Sequence, residues 1–180
     1  GLAMSSSSSA VSNNETQINM EANTKVVADR TDAGNGAVGL YINYGKINTD
    51  ASSTINVEKE TSNSANDSAV GIYSVNGSEV TNAGKVNVGG KNSIGILGVA
   101  YRVAPPEVDP ITGNIIVPSK IVVDEFGAGA IGQGMVNIVN KGSVDLDGQG
   151  AIGMFAKNNK AGTTFTNAIA LNDTTGVITT

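Results

Sequence analysis

The residues of this chain that could perform chemistry are carboxylates, because the sequence contains neither histidine nor cysteine. Their absence removes the usual general base, thiolate zinc sites and disulfides. Glycosidases and polysaccharide lyases need two or three converging carboxylates, and the nearest candidates are Asp124, Asp145 and Asp147. The acids do not recur at a regular spacing, so solvent-exposed surface acids are the favoured interpretation. We assign no catalytic residue, no metal ligand and no cofactor.

A short motif recurs along the chain and indicates a repeat protein. It consists of a small residue followed by an apolar residue, glycine and usually a second apolar residue, as in Ala69-Val-Gly-Ile72. The two shortest spacings between successive copies set a unit of about 21 to 24 residues, in the range of solenoid repeats. The glycines of the five copies are Gly39, Gly71, Gly95, Gly132 and Gly153.

The clearest unit, residues 68–90, contains three short apolar segments separated by turn sequences rich in Asn and Gly. Alternating apolar residues mark the segments as strands. A three-strand coil cannot bury its apolar face alone, but coils stacked about 4.8 Å apart pair each strand with its equivalents above and below. The sequence therefore predicts an all-β fold, a parallel β-helix of about five rungs with three short strands each. We expect one recurring Asn-x-Gly corner, which begins at Asn43, Asn82 and Asn140.

Two-residue alternation within the motif predicts which side chains face inward. The small residue and the glycine would point outward and form an outer strip almost without side chains, open to another chain. The predicted inner residues are Val38, Leu40, Val70, Ile72, Ile94, Ile96, Ile131, Ile152 and Met154. The next outward position carries Tyr41, Tyr73, Leu97, Gly134 and Phe155. Of these, Tyr41, Tyr73 and Phe155 are candidate binding residues; the alternative is that the aromatic side chains only stack on one another.

A proline-rich excursion at residues 99–119 interrupts the repeat. It carries all four prolines of the chain, a density that no ladder strand tolerates, so it should leave the solenoid as a loop or hairpin. We expect it to turn near residues 109–113 and to rejoin the solenoid at residues 120–124. Insertions in solenoids often carry binding. The candidate contact residues are Tyr101, Arg102, Glu107 and Asp109.

Composition and charge limit the classes of partner and indicate the domain organisation. The formal net charge of −5 argues against nucleic acid as a partner, because phosphate binding requires clustered Lys and Arg. Residues 1–14 are rich in Ser and Asn without periodicity, which predicts a disordered N-terminal segment or linker. Residues 15–180 are predicted to form one continuous solenoid, with the excursion as an inserted loop.

The repeat resembles the passenger repeats of the large type V autotransporter adhesins of fusobacteria. The resemblance rests on Ser68-Ala-Val-Gly-Ile-Tyr73, on residues 80–90 and on Ser93-Ile-Gly-Ile96, and extends over residues 36 to about 156. It implies a right-handed β-helical passenger fragment displayed on the bacterial cell surface. It also implies attachment to protein or glycan receptors on other bacteria or host cells. The resemblance carries no catalytic residues, so we expect no enzymatic activity.

Two alternatives stay open at this point. One is a carbohydrate-active β-helix with chemistry near Asp124, Asp145 and Asp147. The other is the head of a trimeric autotransporter, whose similar repeats recur about every fourteen residues, a period that the spacings here do not match. We expect a monomeric fragment, whereas a trimeric head would have three times the chain mass of 18.1 kDa.

Overall fold

The computed structural model describes residues 1–5, 17–29, 36–43, 45–58, 68–75, 78–100, 102–104, 107–108, 115–117, 120–122, 136–158 and 168–180. All regular elements in these ranges are strands. None of the described ranges contains a helix that is long and apolar enough to cross a membrane. The predicted inner residue Ile131, the predicted outer residue Gly134 and the repeat copy at Gly132 lie outside the described residues.

Fifteen of the described strands form five rungs of three. The first rung is β1 (Leu2–Ser5), β2 (Gln17–Met20) and β3 (Lys25–Ala28), and the second is β4 (Val38–Asn43), β5 (Lys46–Thr49) and β6 (Thr54–Val57). The third is β7 (Val70–Val75), β8 (Ser78–Asn82) and β9 (Lys85–Val88). The fourth begins with β10 (Ile94–Ala100), which is followed by four short strands, β11 (Arg102–Ala104), β12 (Glu107–Val108), β13 (Ile115–Val117) and β14 (Lys120–Val122). The fourth rung then continues with β15 (Val136–Asn140) and β16 (Ser143–Leu146), and the fifth is β17 (Ile152–Asn158), β18 (Ala168–Asn172) and β19 (Val177–Thr179).

The rungs stack into three parallel sheets of five strands each. Sheet A has the order β1-β4-β7-β10-β17, sheet B has β2-β5-β8-β15-β18, and sheet C has β3-β6-β9-β16-β19. Each strand therefore pairs with the equivalent strand of the neighbouring rung, as the repeat predicts. The predicted parallel β-helix of about five rungs with three short strands each is confirmed.

Strand formation follows the two-residue alternation of the sequence. In β5, Ile47 and Thr49 are buried while Asn48 is exposed, and in β9 Val86 and Val88 are buried while Lys85 is exposed. Alternation of this kind favours a strand with one face on a core and the other in water. The buried residues of all three sheets meet inside the coils and form one continuous hydrophobic core.

The core is built from columns of aliphatic side chains that stack in register. In sheet A, Leu40 pairs with Ile72 and Ile72 with Ile96, and all three are fully buried, as predicted. Met154 continues the column in the fifth rung and is partly buried against the core. Burial of each such side chain contributes roughly 1.5–3 kcal/mol, so these columns stabilise the stacking of neighbouring rungs.

The small residues of the motif face inward, so the predicted outer strip is wrong. Ala69 and Ser93 have no exposed surface, and a Cβ atom added to Gly39 would lie 2.6 Å from Cγ2 of Ile55 in sheet C. The glycines lie where branched side chains of sheet C reach across the corner towards sheet A, which leaves no room for a side chain. The apolar residue before the glycine was predicted to face inward. Val70 is buried there, whereas Ile152 is 44% exposed and Val38 and Ile94 are partly exposed.

A ladder of buried polar side chains runs through the corner between sheets B and C. The Oγ1 of Thr49 donates to Oδ1 of Asn82 at 2.7 Å, and Nδ2 of Asn82 donates to Oδ1 of Asn140 at 2.8 Å. Nδ2 of Asn140 then donates to Oδ1 of Asn172, also at 2.8 Å. The Asn82 and Asn140 amides each donate as well to the carbonyl of the glycine two residues ahead. The ladder thus satisfies buried amides across rungs and within each turn.

The Asn-x-Gly corner is not the same in all three predicted copies. Asn82 and Asn140 end strands of sheet B, whereas Asn43 ends β4 of sheet A. In the second rung the ladder position belongs to Thr49, which pairs in register with Asn82. The prediction is therefore right for Asn82 and Asn140 and wrong for Asn43. At the ladder position of the second rung, the Thr49 hydroxyl takes the place of an asparagine amide, because either group can donate a hydrogen bond to the next rung.

The N-terminal residues contribute a strand to the first rung. Leu2–Ser5 runs parallel to β4, with Leu2 opposite Leu40 and Met4 opposite Ile42. These residues therefore do not behave as the linker predicted for residues 1–14. The apolar residues Leu2 and Met4 repeat the inner positions of sheet A, a signal that the serine-rich composition obscured. Residues 6–16 lie outside the described part.

The turn that joins β5 to β6 is organised by one aspartate. Oδ1 of Asp50 accepts hydrogen bonds from the backbone N–H of Ser52 at 2.8 Å and from its hydroxyl at 2.7 Å. These bonds stabilise the ionised carboxylate and lower the pKa of Asp50 from its ordinary value, the backbone bond being the larger cause. The Ser53 backbone N–H donates to the Asp50 carbonyl at 3.0 Å and completes the turn.

Substitution of the central asparagine of the ladder is expected to destabilise the solenoid. Asn140→Leu leaves one N–H of the buried Asn82 amide without its acceptor, while the Gly84 carbonyl still accepts from that amide. An unsatisfied buried donor costs about 1–3 kcal/mol. Asn137→Leu is the matched control, because it makes the same change on the same strand at a partly exposed position. Urea unfolding measures both. Equal effects of the two substitutions would contradict a stabilising role for the ladder.

Loss of the Ser52 bonds is expected to raise the pKa of Asp50 towards its ordinary value. Because the pKa of Asp50 is lowered in the folded chain, its contribution to stability is present above the unfolded-state pKa and is lost as the pH falls through the folded-state pKa. Ser52→Ala removes the hydrogen bond from the hydroxyl and should reduce the difference between the unfolded-state and folded-state pKa of Asp50. An NMR titration of the Asp50 carboxyl carbon checks the shift, and an unchanged pKa in the variant would rule the hydroxyl out as a cause.

Candidate functional site

A hairpin arm, residues 102–122, leaves the solenoid within the fourth rung. β11 pairs with β14 in antiparallel orientation, with Arg102 opposite Val122. β12 pairs with β13 in the same orientation, with a register irregularity beside Glu107. Both pairs belong to one excursion between β10 of sheet A and β15 of sheet B. In the described residues, β11–β14 pair only with one another.

The prolines divide the hairpin arm into two short ladders. Pro105 and Pro106 lie between β11 and β12, and Pro118 lies between β13 and β14. Proline donates no backbone hydrogen bond and so contributes no donor to an antiparallel ladder. Of the predicted loop or hairpin, the two antiparallel strand pairs fit a hairpin. The predicted turn near residues 109–113 lies outside the described residues.

The boundaries of the excursion differ from those predicted. Val99 belongs to β10, where it pairs with Val75, so the solenoid continues further than expected. Lys120–Val122, predicted to rejoin the solenoid, pairs instead with Arg102–Ala104 at the base of the arm. The described solenoid resumes at β15. The apolar run at 120–122 was misread because a hairpin strand and a ladder strand have the same two-residue pattern.

The four candidate contacts in the excursion fall into two groups. Arg102 lies in β11 at the base of the hairpin arm, and Glu107 lies in β12 beyond the proline pair. Tyr101 and Asp109 lie outside the described residues. The structure therefore places Arg102 and Glu107 on the arm, in separate ladders.

The other three candidates form part of an outer aromatic column on sheet A. Strand pairing aligns Tyr41 with Tyr73, Tyr73 with Leu97 and Leu97 with Phe155. The rings of Tyr41 and Tyr73 meet edge to face, with centroids 5.5 Å apart and planes inclined by 66°. Phe155, in the fifth rung, is 41% exposed. The outward column is therefore present, with a tyrosine pair at one end and an exposed phenylalanine at the other.

Two buried valines beside the column were missed by sequence reasoning. Val75 follows Tyr73 by two residues and Val99 follows Leu97 by two, so alternation places them on the same face of sheet A. They are 1% and 8% exposed, yet neither belongs to the core cluster inside the coils. A valine two residues after both Tyr73 and Leu97 was a sequence signal for this second apolar patch.

Two of the candidate carboxylates lie at the end of β16, and the described neighbouring strands bring no further acid to them. Asp145 is exposed on β16 and pairs in register with Asn87 and Thr179, so the strands on either side present no acid beside it. Asp147 is exposed beyond the end of β16, and Asp124 lies outside the described residues. Within the described ranges, no group of three or more Asp and Glu residues is arranged to hold a metal ion.

Comparison with known proteins adds no family assignment. No protein-family model, no curated protein and no solved structure matches the chain. Interpretation of function therefore depends on the geometry of the hairpin arm and the outer aromatic column.

The tyrosine pair is expected to contribute to stability through direct contact of the two rings. A double-mutant cycle with Tyr41→Leu and Tyr73→Leu should give a coupling free energy of about 0.5–1.5 kcal/mol, the range for edge-to-face pairs. Leucine keeps an apolar side chain in the column while it removes the aromatic quadrupole. Denaturant unfolding of the four proteins measures the coupling, and strictly additive effects would contradict it.

Proposed function

We propose that the chain is a non-enzymatic segment of a bacterial cell-surface adhesin of the autotransporter type, which attaches to protein or glycan receptors on other bacteria or host cells. The observation that carries the proposal is the hairpin arm. It departs from an otherwise regular stack of rungs and, in the described residues, pairs with none of the solenoid strands.

The physics of a solenoid supports a binding role for such an arm. Each rung is stabilised by its neighbours, and an excursion from a corner leaves the strand pairing above and below intact. Here β15 pairs with β8 and β18 as though the arm were absent. The arm is therefore not needed to complete the stack. Insertions of this kind collect on the surface of solenoids and often carry binding.

The backbone of the arm offers a mode of recognition. A two-stranded sheet has two edges with unpaired N–H and C=O groups, to which an extended segment of a receptor can add as a further strand. The overall charge favours receptors other than nucleic acid, since acidic residues outnumber basic ones, 16 to 11. Attachment through the arm would leave the rungs as a rigid support.

The carbohydrate-active alternative lacks a supporting observation. Cleavage of a glycosidic bond needs two carboxylates about 5–10 Å apart on either side of the substrate. Asp145 pairs in register with Asn87 and Thr179, so neither neighbouring strand places an acid opposite it across a substrate. We therefore retain adhesion as the proposed function.

Deletion of the hairpin arm is expected to weaken attachment strongly without unfolding the solenoid. Arg102 and Val122 are direct antiparallel partners, so their Cα atoms are about 4.5–5.5 Å apart and a short Gly/Ser turn can replace residues 103–121. Binding of labelled protein to partner bacteria and host cells should fall about tenfold or more, the effect of losing about 1.4 kcal/mol of contact.

Two further measurements make the result decisive. Circular dichroism and thermal unfolding must show that the shortened chain keeps its β-helix. The double substitution Arg102→Ala and Glu107→Ala, in a chain that keeps the arm, distinguishes recognition by these side chains from recognition by the arm's backbone. Attachment that survives deletion of the arm would show that the arm is not the contact element. An intact chain that binds none of the cells would overturn the proposed function for this chain.

A further inference from the structure

The tyrosine pair on sheet A has a geometry suited to a covalent modification, independent of whether the chain is an adhesin. Tyr41 and Tyr73 are direct partners in adjacent parallel strands, and their ring centroids are 5.5 Å apart. Both side chains are partly exposed on the outer face, where a diffusible oxidant can reach them. We propose that this pair is a site of oxidative cross-linking, at which a peroxide and a haem peroxidase join the two rings as dityrosine.

The reaction balances without a group from the protein beyond the two phenols. The peroxidase removes one electron and one proton from each phenol, and these reduce one molecule of hydrogen peroxide to two of water. The two phenoxyl radicals couple through a bond between their Cε carbons. The ring hydrogens at those carbons then move to the oxygens and restore both phenols. The protein thus loses two hydrogen atoms in total.

The fold favours coupling within one chain. The strand register holds the two rings in contact, so the second radical is already beside the first at a high effective molarity. The next position of the column is Leu97, which cannot form a phenoxyl radical, so the reaction ends at a single bond. The cross-link would join the second and third rungs and restrict the unfolded chain, as a disulfide does. The chain has no cysteine that could supply such a covalent link.

The test treats dilute folded protein with hydrogen peroxide and a haem peroxidase. The expected product is a monomer lighter by two hydrogen atoms, with dityrosine fluorescence and a linked pair of peptides that contain residues 41 and 73. Tyr73→Phe and Tyr41→Phe keep a ring in the column but remove one phenol. Either variant should lower the intramolecular product by about tenfold or more, because the contact supplies the effective molarity.

A variant that keeps only the pair gives the matched control. The chain has four tyrosines, and the double substitution Tyr44→Phe and Tyr101→Phe leaves Tyr41 and Tyr73 alone. It should give the same yield as the parent, and the yield should fall when guanidinium unfolds it before oxidation. The linked protein should also unfold at a temperature several degrees above that of the unlinked protein. Formation of covalent dimers only, or peptides linked through residue 44 or 101 in the parent, would overturn the proposal.

Discussion

The parallel pairing of each strand with its equivalent in the next rung is the constraint on which the rest of the structure depends. It forces identical positions of successive rungs into columns about 4.8 Å apart, so any residue type that recurs is stacked upon itself. Aliphatic residues become the inner columns, with Leu40, Ile72 and Ile96 in one line. The outer aromatic column and the asparagine ladder have the same origin. A residue type that recurs at one position of the repeat therefore forms a continuous column along the stack.

The asparagine ladder shows how the same pairing handles polar groups inside the coils. A buried amide without partners is costly, and each asparagine of the ladder is paired by the rung above and by its own turn. A shift of one strand by a single residue would separate these amides and leave their buried N–H groups without the acceptors of the next rung. The ladder therefore opposes register errors, to which parallel strands of similar sequence are otherwise prone.

Much of the fold could be predicted from the sequence, because alternation and turn residues report directly on strands and corners. Two-residue alternation predicts the inward orientation of Leu40, Ile72 and Ile96, and the density of prolines predicts that the hairpin arm leaves the solenoid. The orientation of Gly39 could not be predicted in this way, because it depends on the side chains of Ile55 and Val57, which belong to another sheet and fill the corner. The place of Thr49 in the ladder could not be predicted for a related reason. Its partner Asn82 is 33 residues away, and turns of unequal length hide that alignment in the sequence.

The candidate site was likewise predictable from the sequence only in part. Prolines made the excursion visible, but whether residues 120–122 return to the solenoid depends on which strand they meet. The outward tyrosines were predictable from period two, whereas their edge-to-face contact needs the rung register. The valines beside them were predictable in the same limited way. Alternation places Val75 and Val99 on the outer face, yet nothing in the sequence shows that they are buried there.

The position of the hairpin arm at a corner within one rung has a mechanical consequence. A pulling force along the solenoid axis is shared among three parallel sheets, whose hydrogen bonds lie along that axis. The pairing of β15 with β8 and β18 transmits this load past the arm. A force applied to the hairpin arm acts along both of its strands at once and does not separate them. The chain leads from these strands to β10 of sheet A and to β15 of sheet B, so the load enters the solenoid within a single rung and falls first on two of the three sheets.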